Sequence, residues 1–227
     1  MMTKHWKKDI ATRVDMFKQF YQFKNNRPLF GFFYGSEYPL HRYETGKNTP
    51  ENQILNPEDF PVNSYLEDYD RLFDIHEECG GDFIWSASVF WGIPWVEAAL
   101  GAPIILHDYS TGSIVAEKPG WFDGPESIPT FSADNKWGAL AREFLEKMAS
   151  RSNGRWPIAT TRMRGISDLL ALLYGGENFV LAMMEKPDEI MAVCEKLTDF
   201  WIEFGQLQLE NIPDFHGGIG SFYYNAW

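Results

Sequence analysis

Apolar positions along this chain repeat at two periods, and their alternation is the first clue to its architecture. In 9–24, Ile10, Val14, Phe17, Phe20 and Tyr21 fall at the spacing that gathers them on one face of a helix. Arg27 and Pro28 end that stretch. The run 29–34 is then compact, apolar and aromatic, closed by Gly35, as a buried strand would be. The segment 35–57 is rich in Gly, Pro, Asn and Thr and reads as a long loop. Helical spacing returns in 61–79 with Tyr65, Leu66, Tyr69, Leu72, Phe73 and His76, and stops at Gly80 and Gly81.

The same punctuation continues. A second strand is expected at 82–88, a short helix at 96–100 stopped by Gly101, and two short excursion strands at 104–106 and 113–116. After a loop at 120–129, the spacing predicts a helix over 136–150 with Leu140, Phe144, Leu145 and Met148 inward. A third strand is expected at 156–161, helices at 166–174, 179–184 and 187–209, and a fourth strand near 217–224. Pro187 suits the first turn of the long helix. Strand alternating with helix is the pattern of an α/β fold with a parallel sheet, here in a single domain over 1–227. The chain stops on Phe222, Tyr223, Tyr224, Asn225, Ala226 and Trp227 with no helix to cover that strand, so a longer parent chain is expected.

Composition narrows the function classes. Hydrophobic residues make up 44% and charged residues 23% of 227, a globular balance. With 20 Lys+Arg against 32 Asp+Glu the formal charge is −12, which argues against nucleic acid or an anionic membrane as partner. No apolar run follows Lys4, Lys7 and Lys8, and no stretch of about 18 uncharged apolar residues occurs, so neither signal peptide nor membrane span is expected. Cys79 and Cys194 read as buried reduced thiols, in keeping with a cytoplasmic location. Aromatic residues reach 16%, nine of them Trp; they fill cores and also line pockets for flat organic ligands.

Several short motifs, taken in order, resemble the uroporphyrinogen decarboxylase superfamily. They are Arg27-Pro28-Leu29-Phe30-Gly31, Tyr38-Pro39-Leu40-His41-Arg42-Tyr43, Gly81-Asp82-Phe83-Ile84-Trp85 and Val96-Glu97-Ala98-Ala99-Leu100-Gly101. Gly165-Ile166-Ser167-Asp168-Leu169-Leu170, Glu177-Asn178-Phe179, Lys186-Pro187-Asp188 and Trp227 complete the series. Order and spacing carry the resemblance. It implies a (β/α)8 TIM-type barrel, of which this chain would hold about the first four β/α units. It implies either a decarboxylase of porphyrin biosynthesis that needs no cofactor or a methyltransferase that moves a methyl group from a corrinoid protein to a thiol. The runs 96–101 and 177–187 look closer to the methyltransferase branch. That branch binds zinc through one His and two Cys, ligands the resemblance puts beyond Trp227, so no cofactor or metal site is expected within the chain.

At the sites, the sequence departs from the decarboxylase pattern. The loop after the first strand lacks the paired arginines that would hold substrate carboxylates, leaving Arg42 nearby as the substitute. The second strand carries Ser86, Ala87, Ser88 and Val89 where the family has an aspartate. The tyrosine expected after the third strand falls beside Leu173 and Tyr174, and the family's Asp-Ser-Trp becomes Asn225-Ala226-Trp227. Ordinary uroporphyrinogen decarboxylation is therefore not expected.

Barrel enzymes place their chemistry at the C-terminal ends of strands and in the loops beyond. That rule selects Tyr34, Glu37 and Arg42, then Trp85 and Ser88 with Trp91 beyond them, then Arg162, Arg164 and Asp168, and finally Asn225. Arg162 or Arg164 is expected to share one cavity with Tyr34 and Trp85; pairing with Asp168 is the structural alternative. His107 and His216 read as structural. The expectation is an enzyme binding an anionic organic ligand of tetrapyrrole size or smaller. The alternatives are a corrinoid-dependent methyltransferase, with a corrinoid protein as partner, and a non-catalytic binding barrel; a homodimer is possible in each case.

Overall fold

The structure, a computed structural model, describes residues 9–35, 38–132, 134–222 and 227. Its helices are α1 (Ile10–Tyr21), α2 (Pro39–Arg42), α3 (Val62–Cys79), α4 (Trp95–Ala99), α5 (Lys136–Ser152), α6 (Ile166–Tyr174), α7 (Gly176–Glu185) and α8 (Pro187–Asn211). The strands are β1 (Ala87–Ser88), β2 (Ile104–Ile105), β3 (Val115–Ala116) and β4 (Ile158–Ala159). The class is mixed α/β. β1 pairs parallel with β4, Ala87 opposite Ile158 and Ser88 opposite Ala159, across a connection that holds α4, the β2–β3 pair and α5. β2 and β3 pair antiparallel. Among the described residues these are the only two sheets, and neither closes into a barrel.

The helices form where the apolar spacing places them. Leu140, Phe144, Leu145 and Met148 of α5 are all buried, and Tyr65, Tyr69 and Leu72 of α3 pack into the same core. α5 lies against α3, α4 and α8, and α6 and α7 flank α8. Asn135 caps α5, accepting from the amides of Trp137 and Gly138, while its side-chain nitrogen donates to the Ala99 carbonyl at 2.7 Å. That one residue ties the end of α4 to the start of α5. Among the described residues no single helix is long and apolar enough to cross a membrane; the apolar α6 and α7 meet at 101°.

The strands are much shorter than expected, and two are replaced. In 29–34 the only pairing is a single antiparallel bridge, Gly31 with Gly81, and Phe32 and Tyr34 are exposed rather than buried. Side chains hold this segment instead of a ladder. Arg27 forms a bidentate pair with the buried Asp82 at 2.6 and 2.9 Å, and Asp82 also accepts the Phe30 amide at 3.0 Å. A Cβ at Gly31 would stand 2.4 Å from Phe83 Cγ, so the approach requires glycine. Over the described part of the expected strand at 217–224 there is a turn, bridged Phe215 to Gly218 with His216 at φ +54°, and then a bond from the Gly220 amide to the Ile158 carbonyl at 2.8 Å; 223–224 lie outside the described residues. His216 thus sits in a turn and does not begin a strand.

The loop at 35–57 also needs correction, because it contains α2 and a 3-10 turn at Thr45–Asn48. Its anchor is the buried Asp68 of α3, which accepts the Glu44 and Thr45 amides, each at 2.9 Å. Cys79 is exposed and Cys194 half-buried, not the buried pair expected, since Cys79 is the last residue of α3 and points away from the core.

Gly220 packs directly on the strand pair. A Cβ there would fall 1.8 Å from Ser86 Oγ and 3.0 Å from the Ile158 carbonyl carbon. Gly220→Ala is expected to cost about 1–3 kcal/mol in urea unfolding through this overpacking. An unchanged midpoint would mean that the segment does not lie on β4.

Candidate functional site

A cavity of ≈ 590 Å³ opens beyond the C-terminal ends of β1 and β4. Trp91 follows β1 by three residues, and Arg162 and Arg164 follow β4; all three line it. Arg42 and Pro39 of α2, with Phe33 and Tyr38, form a further wall, while Ile114 and Val115 come from the β3 arm. Among the described residues, the lining therefore carries three guanidinium groups, four aromatic rings counting Phe222, and no carboxylate.

Each arginine is held differently. Arg42 is buried, its guanidinium carbon 4.3 Å from the Phe33 ring centroid and 5.2 Å from that of Trp91. The Arg42 carbonyl accepts from Arg71 at 2.9 Å, and Arg71 in turn pairs with Asp68 at 2.8 Å. Arg162 and Arg164 are exposed, but the backbone that carries them is fixed by α8. The Thr161 amide donates to the buried Gln208 Oε1 at 2.7 Å, and Trp201 Nε1 donates to the Arg164 carbonyl at 2.9 Å. Arg164 Nε also lies 3.2 Å from Oε1 of Glu97 in α4. Arg162 is in no ion pair among the described residues.

The residues expected at the site divide clearly. Arg42, Trp91, Arg162 and Arg164 line the cavity together. Tyr34, Trp85, Ser88 and Asp168 do not. Trp85 is buried in the core, stacked on His76 with ring centroids 5.7 Å apart, and edge-on to Trp156 at 5.9 Å. Tyr34 lies beside His76 while its neighbour Phe33 takes the cavity side. Ser88 is buried within β1, and Asp168 is exposed in the first turn of α6, where its charge favours the helix N-terminus. The ion-pair partner of Arg164 is Glu97, not Asp168. Glu37 and Asn225 lie outside the described residues. His107 sits 3.4 Å from Glu117 on the exposed β2–β3 arm, away from the cavity lining.

Sequence reasoning passed over Glu97, Trp201 and Gln208, yet a signal was there. Phe200, Phe204 and Gln208 recur every four residues, so a polar side chain stands on the buried stripe of α8. Glu97 similarly interrupts an apolar run in α4.

No three metal-ligating side chains converge among the described residues. Neither Cys79 at the end of α3 nor Cys194 on α8 belongs to a group of three ligating side chains among the described residues, as a zinc site of one His and two Cys would need. No family model, no curated protein and no solved structure matches the chain, so the site is read from its own geometry.

His76 links the cavity wall to the core. The Tyr34 amide donates to His76 Nε2 at 3.1 Å, which assigns the proton to Nδ1, 2.6 Å from the Leu72 carbonyl. Burial lowers the His76 pKa, Arg42 lowers it further, and the Leu72 carbonyl and Glu77 oppose the shift. The unfolded chain, titrating near 6.5, then binds the proton more readily than the folded one. The contribution of His76 to stability is complete above about 6.5 and is lost as pH falls below it. His76→Phe is expected to flatten the loss of urea stability between pH 7.5 and 5.5. An equal loss in variant and parent would contradict the assignment.

Proposed function

We propose that the cavity binds a planar organic anion carrying at least two carboxylates, as a substrate of a divergent uroporphyrinogen decarboxylase-type enzyme. One observation carries this reading. In a chain of formal charge −12, three guanidinium groups and flat aromatic rings converge on one cavity, with no carboxylate in its lining among the described residues. An arginine fork matches a carboxylate edge in two parallel hydrogen bonds, and an aromatic wall takes the face of a conjugated ring. The arginines supply affinity and orientation.

Backbone bonds link successive extended segments. The Asp82 amide donates to the Phe30 carbonyl at 2.7 Å, the Ala87 amide to Pro157 at 3.0 Å, and the Gly220 amide to Ile158 at 2.8 Å. Carbonyls of neighbouring residues in an extended strand face opposite edges, so Gly220 sits on the edge of β4 away from β1. The parallel β1–β4 pair and the Gly220 bond support a barrel-like order, while the antiparallel Gly31–Gly81 bridge and the Trp227 amide on the Ile84 carbonyl depart from it. The described residues do not fit the zinc of the methyltransferase branch.

Benzene-1,3,5-tricarboxylate is a suitable probe, with its trimethyl ester as the uncharged control, read by tryptophan fluorescence because Trp91 lines the cavity. The acid is expected to bind and the ester to bind at least tenfold more weakly. Arg162→Ala should weaken binding of the acid by about tenfold, roughly the worth of one charge-assisted contact, with the melting temperature nearly unchanged. Equal binding of acid and ester, or a variant that loses stability while keeping affinity, would contradict the proposal.

A further inference from the structure

Glu97 is an expensive residue for α4 to carry. It is 2% exposed, both carboxylate oxygens lack a hydrogen bond, and burial pushes its pKa up. Its one close ionic contact, to Arg164 Nε at 3.2 Å, lacks hydrogen-bond alignment. The Arg164 side chain is 47% exposed, so water would solvate the guanidinium without Glu97. A carboxylate taken out of water for one such partner destabilises a fold relative to an apolar side chain of similar volume. Stability does not explain this residue.

Position does. The Arg164 carbonyl is held by Trp201 Nε1 at 2.9 Å, and its guanidinium faces Glu97 through the Nε edge. Arg164 is thus contacted at both ends, its carbonyl by Trp201 and its Nε by Glu97, in a residue that lines the cavity. Arg162, two residues earlier on the same segment, has no comparable carboxylate partner among the described residues. We infer that Glu97 is a positioning residue, which orients Arg164 across the cavity so that its outer edge meets a carboxylate of the ligand. The inference rests on reading the cavity as an anion site. Ordering a long arginine before the ligand arrives removes part of the entropic cost of binding. Charge alone argues the opposite way: a buried carboxylate beside an anion site repels the anion, so removing it would tighten binding. The two effects therefore separate experimentally.

Glu97→Leu and Glu97→Gln provide the separation in the full chain. Leucine fills the volume but offers no acceptor; glutamine keeps an oxygen at the same reach without the charge. Three quantities are measured: melting temperature, affinity for benzene-1,3,5-tricarboxylate, and the NMR order parameter of the Arg164 Nε–H bond. The expected result is a Glu97→Leu protein that melts no lower than the parent and binds about tenfold more weakly, as for one lost charge-assisted contact. Its Arg164 order parameter falls. Glu97→Gln should bind within about threefold of the parent, with Arg164 still ordered. Parental affinity and parental Arg164 order in Glu97→Leu would overturn the inference. So would a lower melting temperature and equal weakening in both variants, since that is the behaviour of a structural ion pair. Glu97→Met repeats the test should the leucine variant not fold. If the probe fails to bind the parent protein, the anion-site reading falls, and the Arg164 order parameter alone still decides whether Glu97 positions it.

Discussion

The end of β4 depends on one buried amide. Gln208 is fully buried on α8; its Oε1 takes the Thr161 amide at 2.7 Å and its nitrogen donates to the Phe204 carbonyl at 3.2 Å. Where the two-residue ladder of β4 stops, this side chain supplies the hydrogen bond that a further strand residue would have made. A buried backbone amide left unpaired costs about 1–3 kcal/mol, so the bond fixes where the chain turns away from the sheet. Arg162 and Arg164 follow immediately. Their placement at the cavity is thus a property of α8 as much as of the strand that precedes them.

The helices were legible because burial acts on them through a spacing that the sequence displays. The expected 166–174 coincides with α6, and 136–150 falls two residues short of α5. The strands were legible only as apolar runs. A run announces that a segment is apolar but not that a partner lies beside it, and pairing depends on residues far away in the chain. Phe30, Phe32 and Phe33 look like a strand in isolation, yet the segment is held by Arg27 on Asp82 and by the Gly31–Gly81 approach. The loop at 35–57 is ordered by Asp68, more than twenty residues from the amides it accepts. No local pattern encodes that contact.

For the site, the rule that chemistry follows strand ends led to Arg42, Trp91, Arg162 and Arg164, and it failed at Tyr34 and Trp85. Choosing Tyr34 over Phe33 is an error of side-chain direction. Neighbouring residues in extended chain point to opposite faces, and the face is unknowable until the register is fixed. Glu97 and Gln208 show a complementary lesson. A polar residue on an otherwise buried stripe is costly, so it marks a contact worth finding. Net charge, by contrast, describes the surface as a whole and conceals a cationic cavity inside an acidic protein.

The central claim is that the arginines and rings beyond β1 and β4 form one anion site. A crystal structure of the protein with benzene-1,3,5-tricarboxylate tests it most directly. The account requires the ring against Phe33 or Trp91, with carboxylates within hydrogen-bond distance, about 2.7–3.1 Å, of Arg162 and Arg164. A probe bound elsewhere, or seated in the cavity with both arginines turned to solvent, would contradict it.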